Sequence, residues 1–137
     1  LTIRNADKPS LDGAEVARRV GQFARDEQVW LTAAATFVAK AKLFPGALWI
    51  VGADTAARIL QARFYGGEPQ RDAALRVFRE LGGRFLVAGR IDATGRYVGL
   101  DQLMVPPDWC DLFDDLAETE FRMDLSSTEL RRRNTSA

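Results

Sequence analysis

The sequence predicts an α/β domain built as an open, Rossmann-like parallel sheet with helices on both faces. Two kinds of segment alternate along it. Residues 47–51 (Ala-Leu-Trp-Ile-Val) and 85–88 (Phe-Leu-Val-Ala) are continuous apolar runs, each closed by a glycine, Gly52 and Gly89. A run without polar alternation suits a strand covered on both sides in a parallel sheet. Amphipathic stretches separate these runs, as crossover helices would. Right-handed crossovers bring every strand's C-terminal end to one edge of the sheet. Gly52, Asp54, Gly89 and Arg90 are therefore expected to converge there, where open parallel sheets bind ligands.

Taken in order, Leu1, Thr2 and Ile3 read as a strand, and Asp7-Lys8-Pro9 as the loop after it. Residues 11–26 read as a helix, with Val16, Val20 and Phe23 at helical spacing, Arg18, Arg19 and Arg25 toward water, and Ser10 as N-cap. Residues 28–32 form a second short strand. Residues 35–43 look helical until Pro45-Gly46 breaks them. After the 47–51 strand a helix begins around Thr55 and carries Ala56, Ile59 and Leu60. Residues 64–67 (Phe-Tyr-Gly-Gly) are a loop. Residues 72–81 form a helix with Leu75, Phe78 and Leu81 on one face, stopped by Gly82-Gly83. Beyond Arg90 the pattern loosens. Residues 97–105 hold a strand near turn signals at 92–95, Pro106-Pro107 breaks the chain, residues 111–116 read as a short helical turn, and residues 128–133 as a last helix.

Composition narrows the chemistry. The 137 residues make one domain of 15.2 kDa, with 19 Lys+Arg against 19 Asp+Glu. Zero formal charge removes a general electrostatic case for nucleic acid or an anionic membrane. No apolar run approaches the roughly 18 residues of a membrane span. The single cysteine, Cys110, cannot form an internal disulfide, has no basic neighbour to activate it, and points to a reducing cytoplasm. The start has neither an initiating Met nor the layout of a signal peptide, and reads as a chain entered partway through. There is no histidine. Histidine metal sites and Ser-His or Cys-His catalysis are excluded within these residues, and no metal ligands are assigned. What remains is carboxylates, Arg and Lys, hydroxyls and backbone amides, a set suited to phosphate chemistry.

Four local patterns carry that chemistry, each with an ordinary structural reading beside it. Ser126 and Glu129 have capping-box spacing, common at helix starts. The amides so exposed, the hydroxyls of Ser126, Ser127 and Thr128, and Arg131 one turn on would cradle a polyphosphate. Gly52 would let a ligand approach the backbone, and Asp54 could accept hydrogen bonds from a ribose or base; Asp54 or Thr55 could equally cap the helix. Arg90 could present its guanidinium to phosphate or be a surface arginine. Lys8 could meet a second phosphate or be a solvated loop residue. Trp30, Trp49 and Phe37 are expected in the core or a pocket wall.

The order of these elements is more specific than any one of them. Ser126-Ser127-Thr128 followed by Arg131 resembles the SSTxxR element of adenylyltransferases in the HxGH nucleotidyltransferase superfamily. Val51-Gly52-Ala53-Asp54 resembles the strand-to-GxD turn of nicotinamide/nicotinate mononucleotide adenylyltransferases, and Val87-Ala88-Gly89-Arg90 their following strand. Asp7-Lys8-Pro9, Thr36-Phe37, Lys40-Ala41 and the stretch from Phe121 to Thr128 are similar to a branch described as cytidylyltransferase-like, some members of which accompany a CinA-type domain. The resemblance implies a cytoplasmic transferase of NAD-biosynthetic type. ATP with Mg2+ would bind across the strand ends, and the phosphate of an acceptor such as nicotinate mononucleotide would attack the α-phosphorus and expel pyrophosphate. By the same resemblance Ser126, Ser127, Thr128 and Arg131 hold the β- and γ-phosphates, Gly52 and Asp54 the adenosine, and Lys8 and Arg90 phosphate or acceptor; Arg131 and Lys8 are the residues assigned to catalysis. The family's first strand and its HxGH turn have no counterpart here, so the resemblance implies a single domain over residues 1–137, inactive by itself, either short of its first strand, the favoured reading, or naturally without the motif. The alternative is a non-catalytic nucleotide-binding or interaction module. The acceptor and any homo-oligomerisation are left open.

Overall fold

In the computed structural model, residues 1–4, 9–92 and 94–121 are described. In chain order they form α1 (Gly13–Val20), α2 (Phe37–Leu43), β1 (Leu48–Gly52), α3 (Ala53–Leu60), α4 (Glu68–Glu80), β2 (Arg84–Ala88), β3 (Arg90–Ile91), β4 (Tyr97–Val98) and β5 (Phe113–Leu116). Strands β1, β2 and β5 pair in parallel in that order, with Trp49 beside Phe85 and Phe85 beside Phe113. Strands β3 and β4 form a small antiparallel hairpin. The described chain is thus a mixed α/β structure with a three-stranded parallel sheet flanked by helices.

Among the described residues the sheet is packed on one side. Val51, Phe85, Val87 and Phe113 alternate onto a single face and are buried there with Ala41 of α2, Ala56, Ile59 and Leu60 of α3, and Leu75 and Phe78 of α4. Phe78 lies flat on Phe85 (centroids 4.4 Å apart, planes 4° apart), Phe113 lies 5.1 Å beyond Phe85, and Phe37 meets Phe85 edge-on at 5.0 Å. These rings join α2, α4, β2 and β5, and burying each contributes about 1.5–3 kcal/mol. The opposite face carries Leu48, Ile50, Leu86, Asp114 and Leu116, none of them buried. Leu48 is 53% and Ile50 70% exposed.

Among the described residues, then, helices cover one face of the sheet, and strands 47–51 and 85–88 are not covered on both sides as their apolar runs lead one to expect. The sheet grows in one direction, from β1 to β2 to β5. Right-handed crossovers that all step the same way must all lie on the same face. Covering the other face needs a reversal of strand order, and the described strands contain none.

Several local expectations also shift. The first helix is half as long as the amphipathic pattern: it starts after Asp12, whose carboxylate accepts from the Glu15 amide at 2.8 Å, so Asp12 and not Ser10 is the cap. It ends at Gly21, which leaves Phe23 outside it and 47% exposed. The strands expected at 1–3 and 28–32 reduce to one parallel bridge, Thr2 to Thr32. Helix α4 begins at Glu68, with Pro69 in its first turn, rather than at residue 72. It stops as expected. Gly82 at φ 72° donates to the Arg79 carbonyl (2.8 Å) and Gly83 to that of Phe78 (3.0 Å), the paired bonds of a Schellman motif. Residues 111–116 are not a helical turn: a 3-10 segment, Pro107–Leu112, leads into β5. Trp109 anchors that segment on α4, donating to Asp72 at 3.2 Å beneath the Arg79 guanidinium, which pairs with Asp111 at 2.5 Å. Trp30 is 64% exposed and outside the core, whereas Trp49 and Phe37 are half-buried against each other.

Candidate functional site at the C-terminal edge of the sheet

Gly52 ends β1 and serves as the N-cap of α3 without any side-chain cap. Helix α3 starts at Ala53, earlier than the sequence pattern indicates, because the chain turns directly from strand into helix. Asp54 therefore sits in the first helical turn, and neither it nor Thr55 is the cap. A methyl group added at Gly52 would meet nothing within 4 Å.

Arg90 arrives from the end of β2, where Gly89 leads the chain into β3. Gly89 is buried, and a side chain there would overlap the Tyr97 ring of β4. The hairpin holding Tyr97 is closed by Asp92, whose carboxylate accepts from the Thr94 amide (2.8 Å), the Thr94 hydroxyl (2.7 Å) and the Arg96 amide (3.0 Å). Those bonds, the Thr94 hydroxyl first, hold Asp92 below the ordinary carboxylate range.

The two expected site residues meet directly. Arg90 Nε and Nη2 donate to the same Asp54 oxygen, Oδ2, at 3.1 and 2.6 Å, across 36 residues of sequence. The pair is open to water, Asp54 more so. The expected convergence of Gly52, Asp54 and Arg90 at one sheet edge is what the parallel topology produces. Their charges are spent on each other, so a phosphate reaching Arg90 would compete with Asp54, while the free lone pairs of Asp54 suit a hydroxyl or amino donor. The same end of the sheet carries acid. Burial first, then Asp115, Glu118 and Asp101, push the Tyr97 phenol above its ordinary value, opposed by the Gly89 backbone. Asp115 also accepts from the Leu100 amide at 3.4 Å. Asp115 and Tyr97 carry no sequence signal for this site, because β5 is hidden in a Phe-Asp-Asp-Leu string without an apolar run.

Scans against family models, curated proteins and solved structures found no match to this chain.

Lys8, Ser126, Ser127, Thr128 and Arg131 lie outside the described residues. Among the described residues, no group of three or more Cys, Asp or Glu side chains is placed to hold a metal ion, and no helix is long and apolar enough to cross a membrane. Cys110 is exposed, with its sulfur 3.6 Å from the Pro106 carbonyl.

Proposed function

We propose that this chain is an adenylyltransferase-like, Rossmann-like nucleotide-binding domain that takes ATP at the C-terminal edge of its sheet. The observation that supports it is the Gly52–Asp54–Arg90 cluster, assembled from two strand ends at the position where open parallel sheets bind nucleotides. In this reading Gly52 admits the ligand to the backbone. Asp54 accepts from ribose hydroxyl or base amino groups, and Arg90 leaves Asp54 for a phosphate oxygen. Ser126, Ser127, Thr128 and Arg131 supply the β,γ-phosphate cradle. In the full reaction an acceptor phosphate, with nicotinate mononucleotide as the nearest analogy, forms a bond to the α-phosphorus of ATP as the bond to pyrophosphate breaks. Lys8 would meet the acceptor. The described residues do not fit a resident Mg2+ site, so no step is assigned to one.

The lack of histidine favours a second reading, a nucleotide-binding module that does not turn over. Calorimetry of the chain with Mg-ATP, beside a pyrophosphate-release assay with nicotinate mononucleotide, separates the two. Saturable binding without release is expected from residues 1–137, and release above background would establish catalysis without an imidazole. Arg90→Ala and Arg131→Ala should each weaken binding about tenfold or more, with a melting temperature close to that of the parent chain. Absence of ATP binding by the parent chain overturns both readings.

A further inference from the structure

Away from that edge, helices α2, α3 and α4, with Phe64 and Tyr65 between the last two, line an open cavity of about 630 Å³ on the packed side of the sheet. That is within the roughly 300–1,000 Å³ of small-molecule sites. Its walls are mainly aromatic and aliphatic. The rings of Phe37, Phe64, Tyr65 and Phe78 line it, and Ala73 and Ala74 of α4 leave the space between them unfilled. Its charged groups are of one sign, beside the hydroxyls of Thr36, Thr55 and Tyr65. Lys40 and Arg58 line it and no acidic residue does. Arg58 packs its guanidinium over Phe64 at 4.7 Å. Lys40 is half-buried with its ammonium 4.5 Å from the centre of the Phe37 ring, and it has no ion pair among the described residues. Burial pushes its ammonium below the ordinary lysine range, a penalty that an anion beside it would offset. Tyr65 is held neutral by burial and keeps its hydroxyl as a donor.

We infer that this cavity binds an aromatic carboxylate, its ring against the apolar walls and its carboxylate on Lys40. An apolar body requires the rings, and an acid-free lining with a desolvated ammonium requires the negative charge. The inference does not rest on the nucleotide reading: Gly52, Asp54 and Arg90 do not line this cavity.

The test is isothermal titration calorimetry of the 137-residue chain with 2-naphthoate and with 2-naphthalenemethanol, its uncharged counterpart. The expected result is one-site binding of naphthoate, about tenfold or more tighter than the alcohol. Lys40→Met should weaken naphthoate to the level of the alcohol and leave the alcohol unchanged, while Lys40→Arg retains much of the difference. Ala74→Trp, which fills the space, should remove binding of both. Failure of the parent chain to bind naphthoate, equal affinities for acid and alcohol, or unchanged binding in Ala74→Trp would each overturn the assignment. If Lys40→Met does not fold, as judged by circular dichroism, the parent-chain comparison and Ala74→Trp still decide. ATP affinity, measured in the same variants, should not change, which keeps this result separate from the nucleotide proposal.

Discussion

Two adjacent glycines end α4 for different reasons. Gly82 is there for its backbone, at φ 72°. Gly83 is there for space, since a methyl group on it would come within 2.5 Å of the Phe78 ring, itself stacked on Phe85. Gly83→Ala should therefore destabilise the chain by about 1–3 kcal/mol, as overpacked core substitutions do. Gly13→Ala, in helix α1 with nothing within 4 Å, should be neutral or stabilise by about 0.4–1 kcal/mol. Urea denaturation of the two variants beside the parent checks both signs. The glycine pair is legible in the sequence as a helix stop. That one member is a packing requirement is not, because the evidence for it is a ring that arrives from the preceding turn of helix.

At the scale of elements, apolar runs were readable where the strands are apolar. Strands β1 and β2 fall within one residue of the segments the sequence marks, and α2 and α3 within two. Strand β5 was not readable: two of its four residues are aspartates, and only its pairing with β2 makes it a strand. Helix α1 was overread because Phe23 continues its spacing past the glycine that ends it. The β3–β4 hairpin carries a pH consequence. Tyr97 and Tyr65 both have phenols raised above the ordinary value of 10.0, burial being the first cause in each. Above that pH the unfolded chain releases these protons before the folded one does, so folding stability is fully present below pH 10 and falls as the pH rises through the folded values. Denaturation midpoints measured between pH 8 and 11.5 should show this decline, and Tyr97→Phe should make it shallower. A slope unaffected by the substitution would remove Tyr97 from the account.

For the whole molecule, the decisive property is a sheet that steps in one direction. It brings Gly52, Asp54 and Arg90 to one edge, which connectivity alone foretold, since parallel strands share an edge whatever their order. Among the described residues it also leaves Leu48 and Ile50 exposed on one face, which the apolar runs do not foretell. Leu48 and Ile50 look as buried in the sequence as Trp49 and Val51, and only the strand order separates them. Lys8, Ser126, Ser127, Thr128 and Arg131 lie outside the described residues, so of the expected site only Gly52, Asp54 and Arg90 are placed at this edge. The one-sided packing predicts opposite outcomes at neighbouring positions. Leu48→Lys and Ile50→Lys should each change stability by no more than about 0.5 kcal/mol. Val51→Lys should abolish folding at room temperature, since an unpaired buried ammonium costs more than the total stability of a small domain allows. Thermal melts of the three variants measure this.

The Phe37–Phe85–Phe78 cluster and the bare outer face together give β1 and β2 a parity: positions 49, 51, 85 and 87 point into the molecule, and 48, 50 and 86 point away. In a library of random variants selected only for folding, hydrophobicity should drift freely at one set and hardly at all at the other. Sequence diversity along these strands would then alternate residue by residue, and a one-residue slip of β1 against β2 would exchange the tolerant and intolerant sites of β1.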